Sequence, residues 1–172
     1  MSGATHEVVS AYESAMSRGD RNVNSEEIPK QTSTKGRFLK WEIVEPQTEN
    51  PHTLTQVTTT TVSFTIEICE PVKQGHHGIA LFNHDRELVW GQATDDLQLS
   101  VGEHEFSYKF PMLPLRPGTY SWLVSLYGEE DLIDSWDCIP EMLVAVDSFG
   151  HPSDEWSGVL NIPSRLEIKR RG

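Results

Sequence analysis

Along most of the chain, apolar and polar positions trade places every second residue, the period of a strand whose two faces see different surroundings. The segment GTYSWLVSLY (118–127) shows it most cleanly: Tyr120, Trp122, Val124 and Leu126 fall on one side, Ser121, Leu123, Ser125 and Tyr127 on the other. The first set predicts a core face. The second is part apolar and part hydroxyl, and it ends in an aromatic just before Glu129, Glu130 and Asp131. Alternation or enrichment in β-branched residues predicts further strands at RFLKWEIV (37–44), LTQVTTTTVSFTIEIC (54–69), GIALFN (78–83) and ELVWGQ (87–92). The same signals recur at EHEFSYKFPM (103–112), DLIDSWDC (131–138), EMLVAVDSF (141–149) and from Gly158 to Ile168. The short HDR between GIALFN and ELVWGQ predicts a hairpin turn.

One stretch carries the helical period instead. In THEVVSAYESAMS (5–17), Val8, Tyr12 and Ala15 form a stripe, Thr5 is placed to cap it and Gly19 to close it. Residues 18–36 lack any period and are rich in polar and turn residues, as a linker is. The expected organisation is a helix and linker over 1–36, then an all-β domain over 37–172 folded as an antiparallel β-sandwich.

Composition narrows the partners. A chain of 172 residues can bury one substantial core. Its net charge of −12, from 26 acids against 14 bases, disfavours nucleic acid and anionic membrane surfaces, both of which call for Lys and Arg. A neutral or cationic ligand, or a partner protein, fits better. No apolar run is long enough to span a bilayer, and the N-terminus lacks the basic start and apolar stretch of a secretory signal. Cys69 and Cys138 lack metal-ligand spacing and are expected as free thiols within strands.

Catalytic signatures are missing. There is no G-x-x-x-x-G-K-[ST], G-x-G-x-x-G or G-x-S-x-G, so neither phosphate-cradling loop nor nucleophile elbow is expected. His76–His77, His84–Asp85 and His104 read as solvated loop or turn histidines. The acids Glu129, Glu130, Asp131, Asp134 and Asp137 read as a solvated run, not a paired catalytic site. No metal, cofactor or enzymatic activity is therefore expected. What remains is the set of aromatics. A sugar presents apolar C–H faces that stack on rings and hydroxyls that want polar partners, and a sheet face carrying Ser, Gln and an aromatic supplies both. Trp41, Trp90 and Trp122 lie inside strands and are expected to pack the core, leaving Tyr127 and Trp136 as ligand candidates. If Ile79 and Leu81 enter the core, Ala80 and Phe82 point the other way, and Gln92 ends the partner strand. The candidate carbohydrate-binding residues are Tyr127, Ser125, Ser121, Phe82, Gln92 and Trp136. Whether their strands adjoin depends on the topology.

The order of these pieces resembles the C-terminal domain of the ATP-binding subunits of polysaccharide ABC exporters, the Wzt-type proteins that export O-antigen. The likeness is carried by HEVVSAYESAM, VSFTIEI, GIALFNHDRELVWGQAT, LPLRPGTYSWLVSLY with the downstream Asp134, and EMLVAVDSFG leading into WSGVLNIP. The resemblance implies an immunoglobulin-like or jelly-roll sandwich that recognises the exported O-antigen glycan without catalysis, in the cytoplasm at the inner face of the inner membrane. It further implies association with the ATPase and membrane subunits, with residues 1–36 as the junction to a missing ATPase domain. It also implies a homodimer that exchanges the C-terminal strand, here Gly158 to Ile168 after a hinge at Gly150–Ser153. The alternative of another class is a dimerisation and docking module of the ATPase subunit that never touches sugar.

Overall fold

The computed structural model describes residues 34–129, 131–147, 158–162, 166 and 168. The expected helix over 5–17, most of the linker and the expected hinge lie outside them. The described residues are all-β, with nine strands: β1 (Gly36–Glu45), β2 (Thr53–Leu54), β3 (Thr60–Ile68), β4 (Val72–Asn83), β5 (Leu88–Leu99), β6 (Gly102–Phe110), β7 (Gly118–Tyr127), β8 (Leu132–Asp137) and β9 (Met142–Val144). They form two sheets. One is three-stranded, in the order β1-β3-β6, and the other six-stranded, in the order β2-β9-β7-β4-β5 with β8 also paired to β7. Only β2 and β9 pair in parallel.

The alternation read from the sequence decides what lies between the sheets. Trp41, Val62, Phe64 and Ile66 from the first meet Ile79, Leu81, Trp122, Val124 and Leu126 from the second in one buried cluster. The Phe64 and Trp122 rings approach edge to face at 5.8 Å, across the middle of the sandwich. Trp41 and Trp122 are buried as expected, while Trp90, near the free edge of β5, is only half-buried against the core.

Several boundaries differ from expectation. The segment 54–69 is not one strand: it breaks into β2 and β3, because its TQVTTT stretch has β-branched residues but no apolar face to bury. β4 and β5 both extend further than expected, to Val72 and to Leu99, so that His76 and His77 lie in a strand and not in a loop. Asp134 and Asp137 lie in β8, within the strand expected over 131–138; Asp134 is half-buried and Asp137 exposed. Of the strand expected from Gly158 to Ile168, the described residues 158–162 show one bridge, Leu115 to Leu160, and residues 163–165 and 167 lie outside them. Cys69 is exposed and Cys138 buried, both as free thiols. Burial and the neighbouring Asp137 push the Cys138 thiol well up.

The outward faces of the two sheets differ in kind. The three-stranded sheet turns out the charged side chains of Arg37, Lys40, Glu42, Glu67, Glu103, Glu105 and Lys109, with Arg37 paired to Glu67 and Lys40 to Glu42. That is a solvated surface. The six-stranded sheet turns out something else.

Candidate functional site

Register decides which residues share the outward face of the six-stranded sheet, because directly opposed residues of neighbouring strands point the same way. Leu81 faces Trp122 and Ile79 faces Val124 on the core side, so their sequence neighbours pair outward: Phe82 with Ser121, Ala80 with Leu123, Gly78 with Ser125 and His76 with Tyr127. β5 adds Leu88 beside Phe82, Gly91 beside Ala80 and Ala93 beside Gly78. On the far side, β8 adds Asp137 beside Leu123 and Ser135 beside Ser125.

Around Leu123, the middle of this face carries small side chains: Gly78, Ala80, Gly91, Ala93, Ser125 and Ser135. A Cβ added at Gly78 would stand 3.0 Å from the Ser125 hydroxyl, so glycine keeps the floor low at that point. Larger groups stand at both ends. From Phe82 to His76 is six residues of strand, or about 20 Å at the usual rise. The face is thus low along β4 and β5 with larger groups at each end, and is called the trough below.

Arg86 makes one wall. It occupies the β4–β5 turn with φ 62°, where its amide donates to the Asn83 carbonyl at 3.0 Å. From there its guanidinium lies over the Phe82 ring, 5.2 Å from the centroid. Nη1 donates to the Ser121 hydroxyl at 3.1 Å, and Nη2 sits 3.2 Å from Oδ2 of Asp137. One side chain thus crosses β4 and β7 and ties them to β8. At the other wall, Nδ1 of His76 bonds the Asp95 carboxylate, and the His76 and Tyr127 rings meet edge to face at 6.0 Å. Tyr127 is 37% exposed.

Four of the six residues singled out in the sequence, Tyr127, Ser125, Ser121 and Phe82, come together on this face, because β4 and β7 are neighbours. Two of these four are covered: Phe82 and Ser121 are only 5% and 4% exposed, so a ligand at that end meets Arg86 and not the ring. Gln92 and Trp136 do not join them. Gln92 pairs with Ile79 and Trp136 with Val124, which places both on the opposite side of the sheet; Gln92 is exposed there and Trp136 packs against the core. Arg86, Asp137, His76 and Asp95 were missed. The HDR turn marked a hairpin, but nothing local in the sequence shows that its arginine reaches two strands across.

Behind the trough lies His77. It is 2% exposed, among the rings of Phe38, Phe106 and Tyr108, and its Nδ1–H donates to the Ser125 carbonyl at 2.8 Å. Burial holds its pKa below the ordinary histidine range, against the pull of the Ser125 hydrogen bond and with a smaller push from His76. Burial also pushes the Tyr108 hydroxyl up to about 12. No cluster of metal-ligating side chains occurs among the described residues, and no helix there is long and apolar enough to cross a membrane.

Comparison with known proteins agrees with the architecture. The chain superposes on the crystal structure of the C-terminal domain of Wzt with a TM-score of 0.59 at 17% identity, over 87% of this chain and 93% of that one. Bacteroides uniformis beta-glucuronidase 2, in a calcium-binding mutant, matches at TM-score 0.44 and 16% identity, over 59% of this chain and 14% of that one. A Niemann-Pick type C2 protein from Japanese carpenter ant also reaches 0.44, at 13% identity, over 71% of this chain and all of that one. No curated protein matches in sequence. The family model of the Wzt C-terminal domain matches residues 29–150, and the chain belongs to that family.

Proposed function

We propose that this chain is a glycan-recognition domain of a polysaccharide exporter and that the trough on its six-stranded sheet holds the polysaccharide, O-antigen in the family's setting. The family is a non-catalytic domain of an ABC transporter subunit. The observation that carries the finer reading is the contrast between faces. One is a solvated array of charges. The other is a floor of glycine, alanine and serine around Leu123, with Arg86 and Asp137 at one end and His76 and an exposed tyrosine at the other. Flat sugar rings fit such a floor: their C–H faces lie over Leu123 and Tyr127, and their hydroxyls reach Ser125, Arg86 and Asp137.

In this reading the chain works in the cytoplasm at the inner face of the inner membrane, beside the ATPase and membrane subunits. It forms a homodimer by exchanging its C-terminal segment. Two exposed apolar pairs, Leu160 with Ile162 and Leu166 with Ile168, support the exchange, since apolar side chains two positions apart suit strand segments covered by a second copy. The same residues favour the alternative, a dimerisation and docking module that does not bind sugar.

The deciding experiment is titration of the purified chain with O-polysaccharide from its own source, with unrelated O-polysaccharides as controls. Selective, saturable binding is expected, weakened roughly tenfold or more by Tyr127→Ala with folding unchanged. A folded dimer that binds none of them leaves the docking module standing.

A further inference from the structure

We infer that the glycan segment held in the trough is uncharged and that Arg86 and Asp137 act together as the reader of a vicinal diol on one of its sugars. This rests on the glycan-binding reading and narrows it to a chemical class and a pair of specificity-determining residues.

Arg86 and Asp137 offset each other at one wall, Asp95 bonds His76 at the other, and the floor between them has no ionisable side chain among the described residues. That balance stands out in a chain of net charge −12. A carboxylate or phosphate on the ligand would gain Arg86 but face Asp137 at the same wall, and Asp95 at the other, within the field of an acidic protein. A cationic amino sugar would meet the guanidinium. A neutral sugar meets neither penalty.

The pair is also shaped for hydroxyls. The guanidinium lies over Phe82 and is fixed by Ser121 and Asp137, with Nη1 at 3.4 Å from Oδ1 as well as Nη2 at 3.2 Å from Oδ2. Those bonds use one edge of the fork. Nε–H and the outer N–H of Nη2 have no partner among the described residues. Beside them, each Asp137 oxygen keeps lone pairs beyond those facing Arg86. Donors next to acceptors complement two neighbouring hydroxyls, each of which both gives and takes a hydrogen bond. The turn that carries Arg86 is itself pinned, with the Glu87 amide donating to the Asn83 side chain at 2.8 Å, so the reader is in place before the ligand arrives.

The test uses the full chain and the envelope polysaccharide of the organism that makes it, separated by anion exchange into neutral and acidic pools. The neutral pool is expected to bind, with an affinity unchanged from low to high salt. Arg86→Gln and Asp137→Asn should each weaken that binding about tenfold or more. Arg86→Lys, which keeps the charge but loses the planar fork, should weaken it as well and guards against a folding defect in the glutamine variant. Asp137→Asn should in addition gain binding to the acidic pool, weakened by salt, because its guanidinium is now unmatched. Wild-type binding confined to the acidic pool, or steeply weakened by salt, would overturn the inference. So would variants that all bind the neutral pool as the wild type does. If neither pool binds the intact chain, the glycan reading itself fails and takes this inference with it.

Discussion

His76 and His77 are adjacent in sequence and opposite in circumstance: one stands at the rim of the trough on Asp95, the other is sealed behind its floor. His77 is neutral in the folded chain because burial disfavours the imidazolium, so on acidification the unfolded chain takes up a proton first. Stability should therefore fall as pH drops below the ordinary histidine value of 6.5, and the loss should level off below the lowered pKa of the folded state. The slope from this one group cannot exceed about 1.4 kcal/mol per pH unit. Urea denaturation of the wild type and His77→Gln across that window checks it: the variant should show a shallower pH dependence, and identical slopes would exclude His77 as the source. The sequence placed both histidines in a loop because a Gly-His-His-Gly stretch has no apolar alternation to mark it. Only the strand pairing shows that one ring enters an aromatic cage.

At the scale of elements, β8 joins the two sheets. The Asp134 carboxylate accepts a hydrogen bond from the Phe38 amide of β1 at 2.7 Å, across the end of the sandwich. Asp134→Ala removes a partly buried, charge-assisted bond and leaves a backbone donor without its partner. It should lower stability by about 1–3 kcal/mol, read from the midpoint of urea unfolding, with glycan binding in the folded state intact. A midpoint unchanged by the substitution would show that water replaces the carboxylate at no cost. Strands with one apolar face, β1, β6 and β7, were legible almost to the residue, since burial on one side writes a period of two into the sequence. β5 was half seen. Its second part, QATDDLQL, forms a sheet edge that is largely exposed, so its composition is that of a loop although its backbone is that of a strand.

For the whole molecule, the least conventional feature is the segment after the ninth strand. Val159 packs against the core and Asn161 is buried, its side chain donating to the Asp147 carbonyl at 2.9 Å and its amide to the Pro114 carbonyl at 2.7 Å. Beyond them, Leu166 and Ile168 are 83% and 86% exposed. If a second copy covers these side chains, deleting residues 158–172 should leave monomeric or insoluble protein, as measured by light scattering on a sizing column. A stable, soluble dimer after that deletion would rule out exchange of this strand. The layered all-β plan was readable from alternation alone. The assembly of the trough was not, because it depends on β4 and β7 being neighbours and on a turn residue crossing to a third strand. Those are long-range facts that local pattern does not encode.

The floor of the trough lies on β4 and β7, and each of these strands is hydrogen-bonded along both edges: β4 between β5 and β7, β7 between β4 and the successive β8 and β9. Such a backbone has little freedom left to lose. If a polysaccharide binds there, the ordering on association would be borne almost wholly by the polymer, whose linkage torsions must settle into one extended path. A stiff polysaccharide, already restricted about those torsions, would then be held more tightly than a supple one offering the same hydroxyls.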